Sequence, residues 1–598
     1  MKTQKYAVNQ YLIESVLSKV REGEIAIPEI QRPFVWDSTQ VRDLLDSLYQ
    51  GFPIGYLIAW RNPDVRLKDG SLASGKMILI DGQQRVTALT AAILGQQVVN
   101  KHYKKLRISI AFQPVEERFE VQNPAILKDP AWISDLAPIL SGEIKLIRAV
   151  TQYLKTNPGA DSERVEEALS TLTDIPKKQI GLIELAHDLD IETVTEIFIR
   201  INSMGTVLSQ ADFAMSKIAS DSKYGGPEIR KCVDYFSHFA VAPEAFSEIK
   251  ENDSEFAKGT YFAKMAWLKD EKDDIYDPSY TDILRVAFTS EFNRGKLADL
   301  VSLLSGRNFE TKVYEESIAE DTFKRLGGAL NGFIREAHFK RFVMIIKSAG
   351  YVSSRMIRSQ NALNFAYILF LKLRAMGVPD QKIEGYVRRW FVLSVLTGRY
   401  SSSPESQFDS DIRQIAGGNI ESFLSGQEQA ELSPAYWEVG LLQDLETSQS
   451  NSPQFWAWVA AQVKTGAKGF LSRDIRVEDL VSLLGDIHHI FPKDALKKAG
   501  VPKALYNQIA NYAFAQEEVN IRIGKRLPRE YMSTVRKQCE GGSLKFGSIN
   551  DAPTLEQNLG ENCVPSSVLD GGLEQYEEFL AERRKMMAKM LRAYYKTL

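Results

Sequence analysis

Two adjacent histidines, His488 and His489, sit within Gly485-Asp486-Ile487-His488-His489-Ile490-Phe491-Pro492, in a chain with only six histidines. The unperturbed pKa of imidazole is about 6.5, so near neutral pH the ring can take a proton from water or, uncharged, bind a divalent cation. Neighbours on a strand point to opposite faces, but at a bulged strand end both can serve one site. Asn507-Gln508-Ile509-Ala510-Asn511-Tyr512 and Glu518-Val519-Asn520-Ile521 follow, and then Pro528 and Tyr531. A base, an amide that orients it and a bound cation are the parts of metal-assisted phosphodiester hydrolysis. The base deprotonates water, and the cation neutralises charge on the phosphate and on the leaving oxygen. The same histidines also fit a pair packed beside Phe491 at a core edge. His102, His187, His238 and His338 have no partner motif.

A second group lies near the N-terminus, in three segments. They are Ile27-Pro28-Glu29-Ile30-Gln31-Arg32-Pro33-Phe34-Val35-Trp36, Ile80-Asp81-Gly82-Gln83-Gln84-Arg85 and Phe198-Ile199-Arg200-Ile201-Asn202-Ser203-Met204-Gly205. A strand that ends in Asp-Gly and opens directly into a helix presents backbone N–H groups and the positive end of the helix dipole, which suits a phosphate. Gly82 lets the backbone approach a ligand closely. Arg32 and Arg85 can grip phosphate oxygens in bidentate fashion. Gln31, Gln83 and Gln84 offer neutral hydrogen bonds, and Asp81 can take a metal or a ribose hydroxyl. A plain β–α turn whose arginines pair with surface carboxylates fits these residues as well.

Positioning these groups requires several elements. The pattern predicts a helix from about Asn9 to Arg21 and an extended piece from Ile25 to Trp36. A helix capped by Asp37 and Ser38 follows, with Val41, Leu44, Leu45 and Leu48 inside and Gly51 at its end. Strands are expected over Gly55–Trp60, Lys76–Ile80 and Lys104–Phe112, with a helix from Gln83 to about Leu94. After about residue 220 the pattern turns helical, with long apolar-periodic stretches at Asn361–Met376 and Ile383–Leu396. Ser401–Ser406 and Glu446–Gln454 read as loops or linkers. The chain of 598 residues exceeds one core, and its 44% hydrophobic and 25% charged residues are those of a globular protein. Cys232, Cys539 and Cys563 are far apart, which excludes a disulfide framework and a cysteine zinc knuckle and suits a reducing cytosol. The N-terminus has no apolar h-region, and no stretch approaches the roughly 18 apolar residues of a membrane span, so no membrane association is expected. The net charge of -3 does not advertise a nucleic-acid binder, but its distribution is uneven. Arg522, Lys525, Arg526, Arg529 and Arg536 form one basic run, and Arg583, Arg584, Lys585, Lys589, Arg592 and Lys596 form another. Both fit a solvated helix face, or phosphate contacts beside a nuclease.

In this order the segments resemble the GmrSD family of modification-dependent (type IV) restriction enzymes, including single-chain BrxU-like members and the related phosphorothioate-sensing SspE nucleases. The family pattern joins IPxxQRxxxW, DGQQR and FxRxNxxGxxLxxxD to HHIFP…NxxxNY…N…I…P…Y. This chain supplies Ile27–Trp36, Asp81–Arg85, and Phe198–Gly205 with Leu208 and Asp212, and then the His and Asn segments above. Met204 departs from the family, which usually has a small residue there. Arg399–Ser406 also resembles a family segment, with no role assigned. The resemblance implies an α+β, mainly α, chain. A ParB/sulfiredoxin-like α/β sensor domain is expected over 1–220, a helical linker over 221–445, and an HNH-type (ββα-metal, His-Me finger) nuclease over 446–598. It implies that a nucleoside triphosphate (ATP, GTP, CTP or UTP) is bound and hydrolysed through Gln31, Arg32, Asp81, Gly82, Gln83, Gln84, Arg85, Arg200 and Asn202. Carried over by position, His489 is the general base and His488 the first ligand of a Mg2+ or Mn2+ ion. Asn511 orients or supports the base, Asn520 is the second metal ligand, and Asp486 is an accessory ligand. The implied substrate is double-stranded phage DNA with modified bases, such as glucosylated or methylated hydroxymethylcytosine. A bacterial cytoplasmic location and a homodimer are expected with it. Two other readings stay open: a phosphorothioate-sensing DNA-nicking enzyme, and a nucleotide-dependent DNA clamp whose histidine pair is inert.

Overall fold

The computed structural model describes residues 4–22, 24–26, 36–61, 77–99, 105–186, 189, 197, 210–221, 223–482 and 487–598. They are mainly helical and fall into two compact units, Met1–Arg230 and Lys231–Leu598. No helix among the described residues is long and apolar enough to cross a membrane.

The first unit is built on a five-stranded sheet ordered β1-β9-β3-β4-β2. Its strands are β1 (Tyr6–Leu12), β2 (Ile25–Ala26), β3 (Tyr56–Arg61), β4 (Met77–Asp81) and β9 (Gln179–Leu185). Two small hairpins intervene, β5–β6 (Val98–Val99, Lys105–Leu106) and β7–β8 (Ile110–Gln113, Arg118–Val121). Helices α1 (Ile13–Arg21), α2 (Ser38–Tyr49) and α3 (Gln83–Leu94) share one core with the sheet, in which Val16, Leu45, Leu57, Leu79 and Val86 are buried. The helix expected from Asn9 begins only at Ile13. Tyr6–Leu12 is a strand, paired antiparallel with β9 from Tyr6↔Leu185 to Leu12↔Gln179. That partner lies far along the chain, where local periodicity cannot register it. The strand expected over Lys104–Phe112 is likewise two short ones, Lys105–Leu106 and Ile110–Gln113. The cap of α2 is as expected: Asp37 accepts from the Gln40 N–H, while the Gln40 side chain accepts from the Asp37 N–H.

Strands β2 and β4 are parallel neighbours, Ile25↔Met77 and Ala26↔Ile78. Their carboxyl ends therefore lie at the same edge of the sheet. On β4 the chain leaves that edge into Gly82. In open α/β sheets ligands bind outside the carboxyl ends of strands, and the Asp81-Gly82 junction lies there.

The second unit packs long helices, among them α4 (Tyr280–Phe292), α5 (Gln360–Ala375), α6 (Asp380–Thr397) and α7 (Pro404–Ala416). The loop expected over Ser401–Ser406 ends at Ser403, because Pro404 opens α7 with its fixed φ at the first helical position. Arg399 and Tyr400, which precede that turn, form a buried knot. Arg399 Nε and Nη2 clasp Asp411 at 2.8 and 2.6 Å. The Tyr400 hydroxyl donates to Asp411 at 2.8 Å and accepts from Trp390 Nε1 at 3.0 Å. The segment thus ties α6 to α7. The boundary expected near residue 445 falls inside this unit. Helix α8 (Pro453–Thr465) packs on α6 and on the last helix. That last helix includes Tyr594, whose hydroxyl donates to the Ala349 carbonyl at 2.5 Å.

Candidate catalytic and nucleotide sites

The two histidines lie on β10 (Ile487–His489), which pairs antiparallel with β11 (Tyr512–Phe514) in the register His488↔Ala513 and His489↔Tyr512. A short helix, α9 (Glu517–Ile523), follows β11 and carries Asn520. The strand alternation separates the two rings. His488 is buried, stacks on Phe470 with ring centroids 5.7 Å apart, and places Nδ1 2.7 Å from Asn520 Oδ1. Its Nε2 is buried and has no hydrogen-bond partner among the described residues. His489 is half-buried, lies edge-on to Tyr512, and places Nε2 3.4 Å from Asn507 Oδ1. Burial pushes the pKa of His488 down from 6.5 to about 4, against the Asn520 contact, with smaller downward effects from His489 and Arg583. Burial also lowers His489, opposed by Asn507 and reinforced by Lys493. Both rings are therefore neutral at pH 7, the form that accepts a proton or binds a cation.

Asn511 touches neither imidazole through its amide. Fully buried, it accepts from the Phe491 N–H at 2.8 Å and donates to the carbonyls of Phe491 and Tyr506 at 3.0 and 3.3 Å. Its support reaches the histidines through the backbone that leaves β10. The Tyr531 hydroxyl fastens the same stretch by donating to the Ile490 carbonyl at 3.0 Å. Tyr531 stands on α10 (Pro528–Cys539).

His488 and Asn520 suit the expected cation in part. Neighbouring donors on an octahedral Mg2+, each at about 2.0–2.1 Å, lie roughly 3 Å apart, close to the 2.7 Å seen here. One imidazole nitrogen and one amide oxygen carry no charge, so the remaining ligands must be anionic groups or water. Asp486 lies outside the described residues. Among those described, no cluster of three or more His, Cys, Asp or Glu forms.

The basic run of the last helix, α11 (Tyr576–Tyr595), is solvated at Lys585 and Lys589 as its composition suggests, but not at Arg583. Arg583 is fully buried. It donates to the carbonyls of Ala510 and Tyr512 at 2.6 Å each and to that of Asn562 at 3.0 Å, which braces the start of β11. Arg584 is held by Gln508 at 2.6 Å. Arg522, Lys525, Arg526 and Arg529, around and after α9, are exposed.

In the first unit, β4 ends at Asp81 and α3 begins at Gln83, as the sequence suggests. Gly82 has φ 91°, and a Cβ there would lie 2.3 Å from Leu57 Cδ2. Both the backbone conformation and the space require glycine. Gly82→Ala is expected to cost roughly 2–4 kcal/mol, from left-handed strain plus overpacking. The cost should appear as a lower melting temperature for the first unit by differential scanning calorimetry, and an unchanged transition would contradict this geometry. Arg85 turns inward. Nη1 donates to the carbonyls of Tyr56 at 2.7 Å and Ile54 at 3.3 Å, and Nη2 meets Asp81 at 3.1 Å. The guanidinium braces the strand–helix junction against the start of β3. Gln83 and Gln84 occupy the first turn of α3, half-buried. Gln31, Arg32, Arg200 and Asn202 lie outside the described residues. Phe470 and Asn507 touch the two imidazoles and Arg583 braces β11, contacts that the sequence segments do not assign to them.

Residues 13–219 match the family model of the GmrSD restriction endonuclease, N-terminal domain. The match takes in all three N-terminal segments and ends before the second unit. The chain is also similar to an uncharacterized protein of Methanocaldococcus jannaschii, 22% identical over 561 residues, covering 86% of this chain and 85% of the relative. That similarity is long enough to run across both units.

Proposed function

We propose that this chain is a restriction endonuclease of the GmrSD kind, in which a nucleotide-binding first unit governs a divalent-cation-dependent nuclease of the ββα-metal type in the second. The observation that carries the reading is the pair of neutral histidines on β10, each set against its own asparagine and followed by β11 and α9. The GmrSD match in the first unit supports the choice of DNA as substrate. In this reading His489 takes a proton from water as the oxygen attacks phosphorus, and the leaving oxygen keeps the electron pair of the broken P–O bond. His488 and Asn520 hold Mg2+ or Mn2+, which when bound offsets negative charge on the phosphate. Exposed Arg522, Lys525, Arg526 and Arg529 contact the DNA backbone. The nucleotide phosphates meet the Gly82 turn and the first turn of α3, where Gln83 and Gln84 stand. Because Arg85 is engaged inward, Arg32 is assigned the cationic phosphate contact.

The substrate is double-stranded DNA with modified bases. The test is a cleavage panel in which the full-length protein meets phage genomes that are unmodified, base-modified or phosphorothioated, each with and without nucleoside triphosphate. The expected result is cutting of base-modified DNA at a rate that changes with nucleotide. By linkage, a nucleotide that alters DNA affinity has its own affinity altered by the same factor. Cutting confined to phosphorothioated DNA would move the trigger to the DNA backbone. Nucleotide-dependent DNA binding without cleavage under any condition would leave a clamp with an inert histidine pair.

A further inference from the structure

The two asparagine contacts fix different nitrogens of the two rings. His488 is held at Nδ1 and His489 at Nε2. An amide oxygen accepts, so in the cation-free state the ring nitrogen it meets carries the proton; at His488 that proton must move to Nε2 before Nδ1 can take a cation, whereas His489 has no such second role. His489 then has its proton on Nε2 and its lone pair on Nδ1, which makes no hydrogen bond among the described residues. A base can take a proton only through a lone pair. We infer that Asn507 is a positioning residue that holds His489 in the Nε2–H tautomer, so that Nδ1 is the atom that accepts the proton from water. The inference rests on the nuclease reading above.

The geometry supports a bond that tightens in use. At 3.4 Å the contact is long, as hydrogen bonds in catalytic sites often are before substrate binds. Asn507 is half-buried in the turn after the short helix Lys503–Tyr506. Its neighbour Gln508 is fixed by Arg584, and the Asn511 amide holds the Tyr506 carbonyl, so the turn that carries Asn507 is held on both sides. Tyr512, edge-on to His489 with ring centroids 4.9 Å apart, limits the rotation of the ring. No local motif assigns Asn507 this role, because the contact is made across the fold.

The test compares Asn507→Leu, Asn507→Asp and wild type in the full-length protein, using kcat, KM and the tautomer of His489 read from 15N–1H NMR of histidine-labelled protein. Asn507→Leu is expected to lower kcat about 10- to 100-fold, part of the roughly 10²- to 10⁴-fold that a positioned base contributes. KM should change less than about threefold. Asn507→Asp keeps an acceptor and should recover most of kcat. The NMR signature should show Nε2–H in wild type and Asn507→Asp, and a mixture of tautomers in Asn507→Leu. The inference is overturned if wild-type His489 carries its proton on Nδ1, or if Leu and Asp reduce kcat equally with the tautomer unchanged. The NMR arm needs no cleavage. A wild-type protein that cuts no DNA but shows Nε2–H, lost in Asn507→Leu, would defeat the nuclease reading and leave the tautomer assignment standing.

Discussion

His489→Ala is expected to remove the proposed DNA cleavage, lowering the rate by about 10²- to 10⁴-fold or more, while the protein stays folded and any nucleotide binding is unchanged. The rate effect follows from the loss of the group proposed to take the proton from water, and positioned general bases contribute on that scale. The small structural cost follows from burial. His489 is half-buried and its one hydrogen bond, to Asn507, is long, so truncation leaves no buried group stranded. His488 differs, since it is stacked on Phe470 and shut from solvent. Cleavage rate and melting temperature, measured side by side at equal cation concentration, check the prediction. Wild-type cutting by the variant would remove His489 from the reaction.

Arg583→Met is expected to destabilise the second unit by about 3–5 kcal/mol, a shift of roughly 4–7 °C in its melting temperature. Methionine fills much the same volume but leaves the carbonyls of Ala510, Tyr512 and Asn562 without their donor in the core. A buried acceptor that loses its partner costs the full desolvation of that group, and hydrogen bonds to a charged donor are the strong ones. Arg583→Lys should rescue little of this, because one ammonium cannot reproduce the planar fork that spans separate carbonyls. Since the brace acts on β11, which pairs with both histidines, the loss of stability should be accompanied by loss of cleavage. A melting temperature within about 2 °C of wild type would show that the carbonyls find other donors.

Elements that declare themselves within a few residues were legible in the sequence. The capped helix α2, the Asp81-Gly82 junction and the strand with the histidine pair all carry local signals: a capping box, a strand-to-helix switch at glycine, and a run of apolar and imidazole side chains. Elements made by distant partners were not. Tyr6–Leu12 became a strand because Gln179–Leu185 pairs with it, and no period in its own residues says so. Arg583 sits in a run of arginines and lysines whose composition suggests a wet surface, yet its guanidinium is the buried strut under β11. At the candidate site, His488, His489 and Asn520 are chosen by the family resemblance of their segments, and the structure brings Asn520 to His488. The division of labour between Asn507 and Asn511 could not be chosen that way. Which amide reaches an imidazole and which one ties the backbone depends on how the chain between β10 and β11 folds back. The role of Arg399-Tyr400 was hidden for the same reason, since Asp411 and Trp390 complete it from two helices.

The central claim is that the second unit hydrolyses DNA with a divalent cation at His488, His489 and Asn520. The most direct measurement incubates purified full-length protein with base-modified phage DNA in Mg2+ or Mn2+, with parallel EDTA and His488→Gln arms, and follows strand breaks on a gel. The account predicts breaks that require the cation, vanish with EDTA, and fall sharply in His488→Gln. Breaks of equal yield in EDTA, or in the His488→Gln protein at the same cation concentration, would contradict it.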